Sequence, residues 1–241
     1  MTAARVVAAL GVALLAGSLE PARAQAPAAD APLTVETRAV AGSDVKEVRA
    51  RGVVDAPPHV LRAVIADVEG YPAFMPYVKE SRLLGREPAG DVLNYQRLSF
   101  GIPLVSDRQY VIRIVERRYR GGDGRLSYVF SWRLADGLPP DATSDAIAVP
   151  INRGYWDLRP HDGAGSRTDV RYCVFTDPGG SLPKWLVPLA NSDAVPKVFA
   201  AVGRAAKLPR YAAATPPTTG AVIDGEHAAE GCGEPEPSPP R

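Results

Sequence analysis

Apolar and polar residues alternate most cleanly between Leu126 and Leu134. In an extended strand successive side chains point to opposite faces, so every second residue lies on the same face. The apolar face of this segment carries Leu126, Tyr128, Phe130, Trp132 and Leu134. The pattern predicts a β-strand whose buried face is rich in aromatic rings.

Looser alternation of the same period predicts strands on both sides of this segment. They are expected in residues 33–54 (a pair of strands), 78–85, 91–100, 108–116, 152–159 and 168–176. Glycine-rich turns at residues 121–124 and 161–165 predict antiparallel hairpins between neighbouring strands.

Two segments have helical spacing of their apolar residues instead. Residues 60–68 follow a pair of prolines, which suit a helix N-terminus. Residues 181–207 form a longer amphipathic segment, in which Pro188 and Pro196 are expected to cause a kink or a restart. The order of elements predicts an α+β fold, with helices packed on one face of a bent antiparallel sheet.

A curved sheet closed by a long C-terminal helix can enclose an apolar cavity. The candidate lining residues lie on the predicted inner faces: Phe74, Tyr95, Arg108, Tyr110, Ile112, Tyr128, Phe130, Trp132, Trp156, Tyr172, Trp185, Leu189, Val198 and Val202. A solid core would use many of the same side chains, and the sequence leaves both interpretations open.

Arg108 is the candidate for a polar contact to the head group of a ligand. An arginine that enters an apolar strand must find a partner, because an unpaired buried charge is costly. The alternatives are an ion pair with Asp107 and a side chain that faces solvent.

Residues 101–107 predict a loop over the mouth of the cavity. Its apolar contacts would be Phe100, Ile102 and Leu104. Such a loop could control ligand entry or contact a membrane, although single apolar residues are also common on ordinary surface loops. The tandem glycines Gly179 and Gly180 predict a sharp turn with positive φ before the last helix.

The two ends of the chain differ in composition from the predicted domain at residues 33–211. Arg5, an apolar run at residues 6–17 and the sequence Ala-Arg-Ala before Gln25 match a secretory signal peptide over residues 1–24. The alternative is a cytosolic protein with an alanine-rich disordered start. Residues 25–32 predict a linker and residues 212–241 a disordered tail, so a periplasmic or secreted protein is expected.

Composition excludes some classes of function. The 241 residues are 46% hydrophobic and 23% charged, with a formal net charge of +1, which gives no reason to expect nucleic-acid binding. Cys173 and Cys232 could pair in an exported protein, but a buried free thiol and an exposed tail thiol are the favoured interpretation. No metal site or cofactor is expected.

No catalytic residue is expected either. His59 precedes a helix, His161 lies in a hairpin turn, and His227 lies in the tail. None has a serine or cysteine nucleophile in an activating context along the sequence, and no glycine-rich phosphate loop is present.

Four segments carry a family resemblance, over about residues 45–207. Residues 67–76 (DVEGYPAFMP) resemble a segment of the coenzyme Q-binding and polyketide-cyclase branch of the START-like (SRPBCC, Bet v 1-like) superfamily. Residues 103–111 (PLVSDRQYV), 154–160 (GYWDLRP) and 177–185 (DPGGSLPKW) resemble segments of START lipid-transfer domains. The resemblance implies a helix-grip fold, in which the sheet wraps around a long C-terminal helix and an apolar tunnel. Gln109 departs from the pattern, because START domains often carry an acidic residue there.

The expected function is therefore binding and transport of a lipid or other hydrophobic small molecule by a monomer, with a transient membrane contact. The resemblance also leaves open a polyketide cyclase or aromatase that uses the same cavity. A third possibility is a protein-interaction module with a filled core.

Overall fold

The structure, a computed structural model, describes residues 32–88, 90–180, 193–227 and 232. The strands in these residues are β1 (Thr34–Ala39), β2 (Lys46–Val54), β3 (Val78–Arg86), β4 (Val92–Leu98), β5 (Arg108–Arg120), β6 (Leu126–Leu134), β7 (Ile147–Ala148), β8 (Ile151–Pro160), β9 (Thr168–Asp177) and β10 (Ile223–Asp224). The helices are α1 (Pro58–Ala66), a 3₁₀ helix (Val68–Ala73), α2 (Ala194–Ala206) and α3 (Pro209–Ala212).

One large open sheet dominates the fold. Its strand order is β1-β2-β9-β8-β6-β5-β4-β3, and every neighbouring pair in this order is antiparallel. The short strands β7 and β10 add parallel contacts to β5. The predicted α+β class is confirmed, and β6 has the predicted bounds. β5 continues past its predicted end at residue 116, because residues 117–120 pair with β6 across the hairpin turn.

The helices cover one face of the sheet. α1 buries Val60, Leu61, Val64 and Ile65, and α2 buries Phe199 and Val202 in the same core cluster. Pro196 lies in the first turn of α2, where its missing N–H has no intrahelical partner to lose. The preceding part of the predicted helix, with Pro188, lies outside the described residues. None of the described helices has the length and apolar character needed to cross a membrane.

Cys173 and Cys232 form a disulfide bond, so the favoured interpretation of two free thiols was wrong. Cys173 is on β9 and Cys232 is buried beside it. The backbone N–H of Cys232 donates to Glu47 Oε2 on β2, at 3.0 Å. A sequence separation of 59 residues gave no indication that the two would meet.

The prediction of a disordered tail over residues 212–241 also needs correction for the described residues 213–227. Residues 213–227 have a described path along the sheet, in which β10 pairs with Tyr119 and Arg120 of β5. Glu226 Oε2 accepts a bond from Arg159 of β8 at 2.7 Å. The composition of this segment favours disorder, but ion pairs and the disulfide with the folded sheet hold it in place.

Candidate functional site

A cavity of about 190 Å³ lies between the inner face of the sheet, the 3₁₀ helix and the start of α2. Its described lining consists of Ile65, Tyr71, Met75, Pro76, Tyr77, Val78, Gln96, Leu98, Phe100, Tyr110, Ile112, Ile114, Phe130, Trp132, Asn152, Trp156, Tyr172, Val174, Thr176, Ala194, Val195 and Val198. Because of this space, the third possibility, a module with a filled core, does not match the structure.

Three strands supply the aromatic wall of the cavity. Trp132 on β6, Trp156 on β8 and Tyr172 on β9 lie close together, with ring centroids 5.9 Å apart for Trp132 and Tyr172 and 4.4 Å apart for Trp156 and Tyr172. Phe199 of α2 extends the cluster, 5.6 Å from Trp156. These ring pairs are tilted by 33–47°, and together they form an aromatic wall that suits an apolar ligand.

Gly154 allows the Trp132 ring to lie against β8. The two residues are directly opposite across the β6–β8 ladder. A Cβ atom at position 154 would clash with the Cys173 carbonyl oxygen and would lie 2.5 Å from Cζ2 of Trp132. The absence of a side chain therefore lets the indole reach over the strand, where its Nε1 donates to Asn152 Oδ1 at 2.9 Å.

Hydrogen-bonded polar side chains cross the otherwise apolar inner face. Tyr110 donates its hydroxyl to Gln96 Oε1 at 2.8 Å, and Gln96 Nε2 donates to Asn94 Oδ1 at 2.7 Å. Asn94 in turn donates to Ser81 Oγ at 3.1 Å. These residues are all buried, and the chain of bonds connects β5, β4 and β3.

Asn152 on β8 is a further polar side chain on this inner face. Its Oδ1 accepts from Trp132 and, at 3.3 Å, from the hydroxyl of Thr176 on β9. Burial raises the pKa of Tyr110, and the nearby polar side chain of Asn152 opposes that shift only in part. The Tyr110 hydroxyl thus lies between the amides of Gln96 and Asn152. The three side chains, Gln96, Tyr110 and Asn152, are called the polar belt below.

The described lining contains no aspartate, glutamate, lysine, arginine or histidine. Its ionisable side chains are tyrosines, and burial raises the pKa of Tyr71, Tyr110 and Tyr172 above the ordinary value. A raised phenol pKa keeps the proton on the oxygen at physiological pH. The described wall is therefore uncharged, with neutral hydrogen-bonding groups.

The rim of the cavity joins three elements. Tyr77, which follows the 3₁₀ helix with φ of 66°, packs against Phe100 with ring centroids 5.6 Å apart. Lys197 on α2 donates to the Tyr77 hydroxyl at 2.9 Å. Leu104, in the loop between β4 and β5, is fully exposed and also has positive φ. The positive charge of the site thus lies at its rim.

The structure places eight of the predicted cavity and mouth residues along the cavity. They are Phe100, Tyr110, Ile112, Phe130, Trp132, Trp156, Tyr172 and Val198. The predicted lining residues Trp185 and Leu189 lie outside the described residues.

Six other predicted residues do not line the cavity. Tyr95 is on the opposite face of β4, where it donates to Gln109 at 3.0 Å. Tyr128 and Val202 are buried in the core with α1, beyond the end of the cavity. Phe74 packs edge-on against Tyr71 and Tyr211. Ile102 and Leu104 belong to the loop but not to the described lining.

Arg108 also lies away from the cavity, so its predicted contact to a ligand is not supported. Its Nε donates to the Pro178 carbonyl at 2.9 Å, and its other nitrogens donate to the carbonyls of Gly179 and Ser106. These bonds hold the turn that leads from β9 towards α2. Gly179 and Gly180 have φ of 66° and 63°, which confirms the predicted positive φ.

Neither alternative predicted for Arg108 is found: it is buried, so it does not face solvent, and it forms no ion pair with Asp107. Asp107 accepts from Arg97 at 2.7 Å and from Lys79 at 3.2 Å instead. Gln109, the departure from the START pattern, turns to the other face and donates to the carbonyls of Thr143 and Ala146. A buried arginine–acid pair is thus replaced here by bonds to backbone carbonyls.

Sequence reasoning missed the polar part of the lining. Gln96, Asn152 and Thr176 were not singled out, because polar residues in strands usually face solvent. Their period-two relation to apolar inner residues was a usable signal, since Asn152 is two residues before Gly154 and Gln96 two before Leu98. The segment Met75-Pro76-Tyr77 and the residues Ala194 and Val195 of α2 were assigned to the cavity only from the fold.

Known proteins share this architecture. A family model described as polyketide cyclase / dehydrase and lipid transport matches residues 54–203. An uncharacterised protein of Pseudomonas aeruginosa is 33% identical over 156 residues, which cover 65% of this chain and 71% of the relative. Human phosphatidylcholine transfer protein is 27% identical over 151 residues, covering 63% of this chain and 68% of the relative.

Solved structures agree. The STAR-related lipid transfer protein of Xanthomonas axonopodis (fragment 25–204) has a TM-score of 0.60 and 28% identity, covering 75% of this chain and 97% of that one. Human StAR-related lipid transfer protein 5 has a TM-score of 0.60 at 18% identity, covering 73% and 82%, and supports the fold alone. Family and cavity together indicate a domain that binds a hydrophobic ligand. The chain belongs to the polyketide cyclase / dehydrase and lipid transport family, and it has the START-like helix-grip fold.

Proposed function

We propose that this protein binds one lipid-like molecule in the cavity and carries it outside the cytoplasm, in the periplasm or as a secreted protein. The observation that carries the proposal is an internal cavity whose wall is mostly aromatic and aliphatic. Burial of apolar surface would drive binding by about 25 cal/mol for each Å² removed from water. The loss of ligand freedom on binding offsets part of this gain.

The relatives support transport as the purpose of binding. One of the similar proteins is named as a STAR-related lipid transfer protein and one as a phosphatidylcholine transfer protein. The exposed Leu104 lies on the loop that follows Phe100 at the rim, which is a suitable position for a transient contact with a membrane.

Two features support a location outside the cytoplasm. Residues 1–24 have the three-part composition of a signal peptide. The Cys173–Cys232 disulfide is a bond of the type that persists in oxidising compartments. Expressed with its own first residues in a Gram-negative host, the mature protein should begin near Gln25. An intact Met1 on soluble cytosolic protein would contradict the proposal.

Solvent extraction of the purified protein, followed by mass spectrometry, tests the function. A hydrophobic molecule recovered at about one per chain supports a carrier. Recovery of a substrate together with its cyclised product would favour the cyclase alternative instead. If the extract is empty and the protein takes up no hydrophobic probe, neither function stands.

Replacing Trp132 with alanine should weaken binding of the neutral fluorescent probe N-phenyl-1-naphthylamine about two- to tenfold. The substitution removes an aromatic contact, worth about 0.5–1.5 kcal/mol, from the cavity wall. Probe titration and urea unfolding of the same sample measure affinity and stability separately.

Tyr128→Ala is the matched control, because Tyr128 is on the same face of β6 but is buried in the core. It should cost about 3–5 kcal/mol of unfolding free energy and leave the affinity of the folded fraction unchanged. An unchanged probe affinity in Trp132→Ala would contradict a role for Trp132 in the wall.

A further inference from the structure

We propose that the polar belt is a recognition site for an uncharged oxygen of the ligand, a hydroxyl or a carbonyl. The ligand would then be a largely apolar molecule whose enclosed end is neutral and polar, such as an alcohol, a phenol, a ketone or an amide. This inference deepens the proposed function and rests on it, because it assumes that the cavity holds a ligand.

The first argument is the position of the polar belt. Gln96, Tyr110 and Asn152 come from three different strands, and all of them are buried and reach the cavity. Gln96 and Tyr110 are direct cross-strand neighbours, while Asn152 pairs across β8 and β9 with Thr176. Apolar side chains surround these groups, such as Leu98 on β4, Ile112 on β5 and Val174 on the neighbouring strand β9. The belt therefore forms one polar patch in an apolar wall.

The second argument is that the hydrogen bonds within the described structure leave polar groups of this patch available to a ligand. The Gln96 amide nitrogen uses one of its two N–H groups, in the bond to Asn94. The Tyr172 side chain, which is half-buried, also lines the cavity and can offer its hydroxyl there. The remaining N–H of Gln96 and the Tyr172 hydroxyl can therefore bond to water or to a ligand oxygen in the cavity.

The third argument is electrostatic. It excludes a ligand whose enclosed end is charged. The described wall offers no ionised side chain to a buried carboxylate, phosphate or ammonium group. Burial of such a group without a counter-charge is far more costly than burial of a neutral one. The phenols cannot supply the charge at physiological pH, because burial raises the pKa of Tyr110 and Tyr172.

The positions of Arg108 and Lys197 agree with a neutral enclosed end and a positively charged rim. Arg108 is not part of the described lining, and each of its three guanidinium nitrogens donates to a backbone carbonyl. Lys197 is exposed at the rim, where it bonds the Tyr77 hydroxyl. A ligand that also carries an anionic group would therefore place that group at the rim and its neutral oxygen at the polar belt.

A set of naphthalenes that differ in one substituent tests the inference directly. The probes are 2-naphthol, its near-isostere 2-methylnaphthalene, the anion 2-naphthoate and the cation 2-naphthylmethylammonium, each competing with N-phenyl-1-naphthylamine at pH 7. We expect 2-naphthol to bind about two- to tenfold tighter than 2-methylnaphthalene, the gain of one net hydrogen bond. Both ions should bind more weakly than either neutral probe.

Tyr110→Phe removes the central hydroxyl of the belt and should abolish the preference for 2-naphthol over 2-methylnaphthalene. Tyr95→Phe is the matched control, because it deletes a buried phenol oxygen from the opposite face of the same sheet and should keep the preference. Asn152→Leu is a second variant, in case Tyr110→Phe lowers the melting temperature too far. A purely structural role of Tyr110 would affect stability and leave the ratio of the two affinities unchanged.

The outcomes separate this inference from the function on which it rests. If no probe displaces the fluorophore and the fluorophore itself does not bind, cavity binding fails and the inference fails with it. If the four naphthalenes bind equally, or an ion binds tightest, the carrier stands and the recognition site is refuted. A preference for 2-naphthol that survives both Tyr110→Phe and Asn152→Leu also overturns the assignment to these residues.

Discussion

Asp157→Ala is expected to lower the free energy of unfolding by about 3–5 kcal/mol, because it removes the buried carboxylate and leaves the largely buried Arg159 guanidinium with only the exposed carboxylate of Glu226. Asp157 on β8 is completely buried. Arg159 Nη2 donates to Asp157 Oδ2 at 2.8 Å, and His227 Nδ1 lies 3.5 Å from the same oxygen. The substitution would remove one of the links between the sheet and the C-terminal segment. Urea unfolding followed by tryptophan fluorescence measures the loss.

The neighbouring pair Arg51–Asp169 provides a control. Its atoms are as close, at 2.7 Å, but the Arg51 side chain is 61% exposed. Solvent weakens such a pair, so Asp169→Ala should cost less than about 1 kcal/mol. Equal losses in the two variants would show that burial is not what makes the Asp157 pair important.

The same carboxylate gives a pH dependence. Burial by itself raises the pKa of Asp157, but the hydrogen bonds and charges of His227 and Arg159 outweigh it, so its pKa lies below the ordinary value. Its contribution to stability is complete above the unfolded pKa of about 3.9 and is lost as the pH falls through the lower folded pKa. Unfolding curves from pH 6 downwards should therefore fall less steeply for Asp157→Asn than for the natural protein. Parallel curves would contradict this assignment.

Removal of the disulfide is expected to lower stability by about 4 kcal/mol. The bond closes a loop with a sequence separation of 59 residues, and loss of this constraint enlarges the unfolded ensemble by an amount of that order. The double variant Cys173→Ala, Cys232→Ala should show the loss in urea unfolding. Its probe affinity should change little, because neither residue lines the cavity.

Reductant provides the control for this second prediction. A thiol reagent should lower the stability of the natural protein towards that of the double variant and leave the variant unaffected. If the natural protein and the variant unfold at the same urea concentration without reductant, the disulfide contributes no stability and the chain-entropy argument fails.

Much of the fold was predictable because the direction of a strand side chain is a local property. Alternation alone placed Tyr110, Phe130, Trp132 and Tyr172 on the inner face, and the structure puts all four at the cavity. The same rule gave the bounds of β6 and the positive φ at Gly179 and Gly180, since each depends on neighbouring residues only.

Alternation did not predict which inner-face residues of a strand lie beside the cavity and which lie under a helix. Tyr128 and Trp132 share one face of β6, but α1 covers the first and leaves the second beside open space. Tyr95 was predicted to line the cavity, but it is one residue from Gln96 and three from Leu98. This odd spacing puts it on the opposite face of β4. Size and apolarity identified candidates, and packing selected among them.

The sequence by itself determined the α+β class, the order of the strands along the chain and the inner face of the aromatic strands, because these follow from periodicity within short segments. Only the tertiary structure decided the partners of Arg108, Asn152 and Cys173. Arg108 meets carbonyls 70 and 71 residues later, and Cys173 meets Cys232 59 residues later. Such pairs depend on which strands become neighbours in the sheet, and periodicity carries no information about contacts between distant segments.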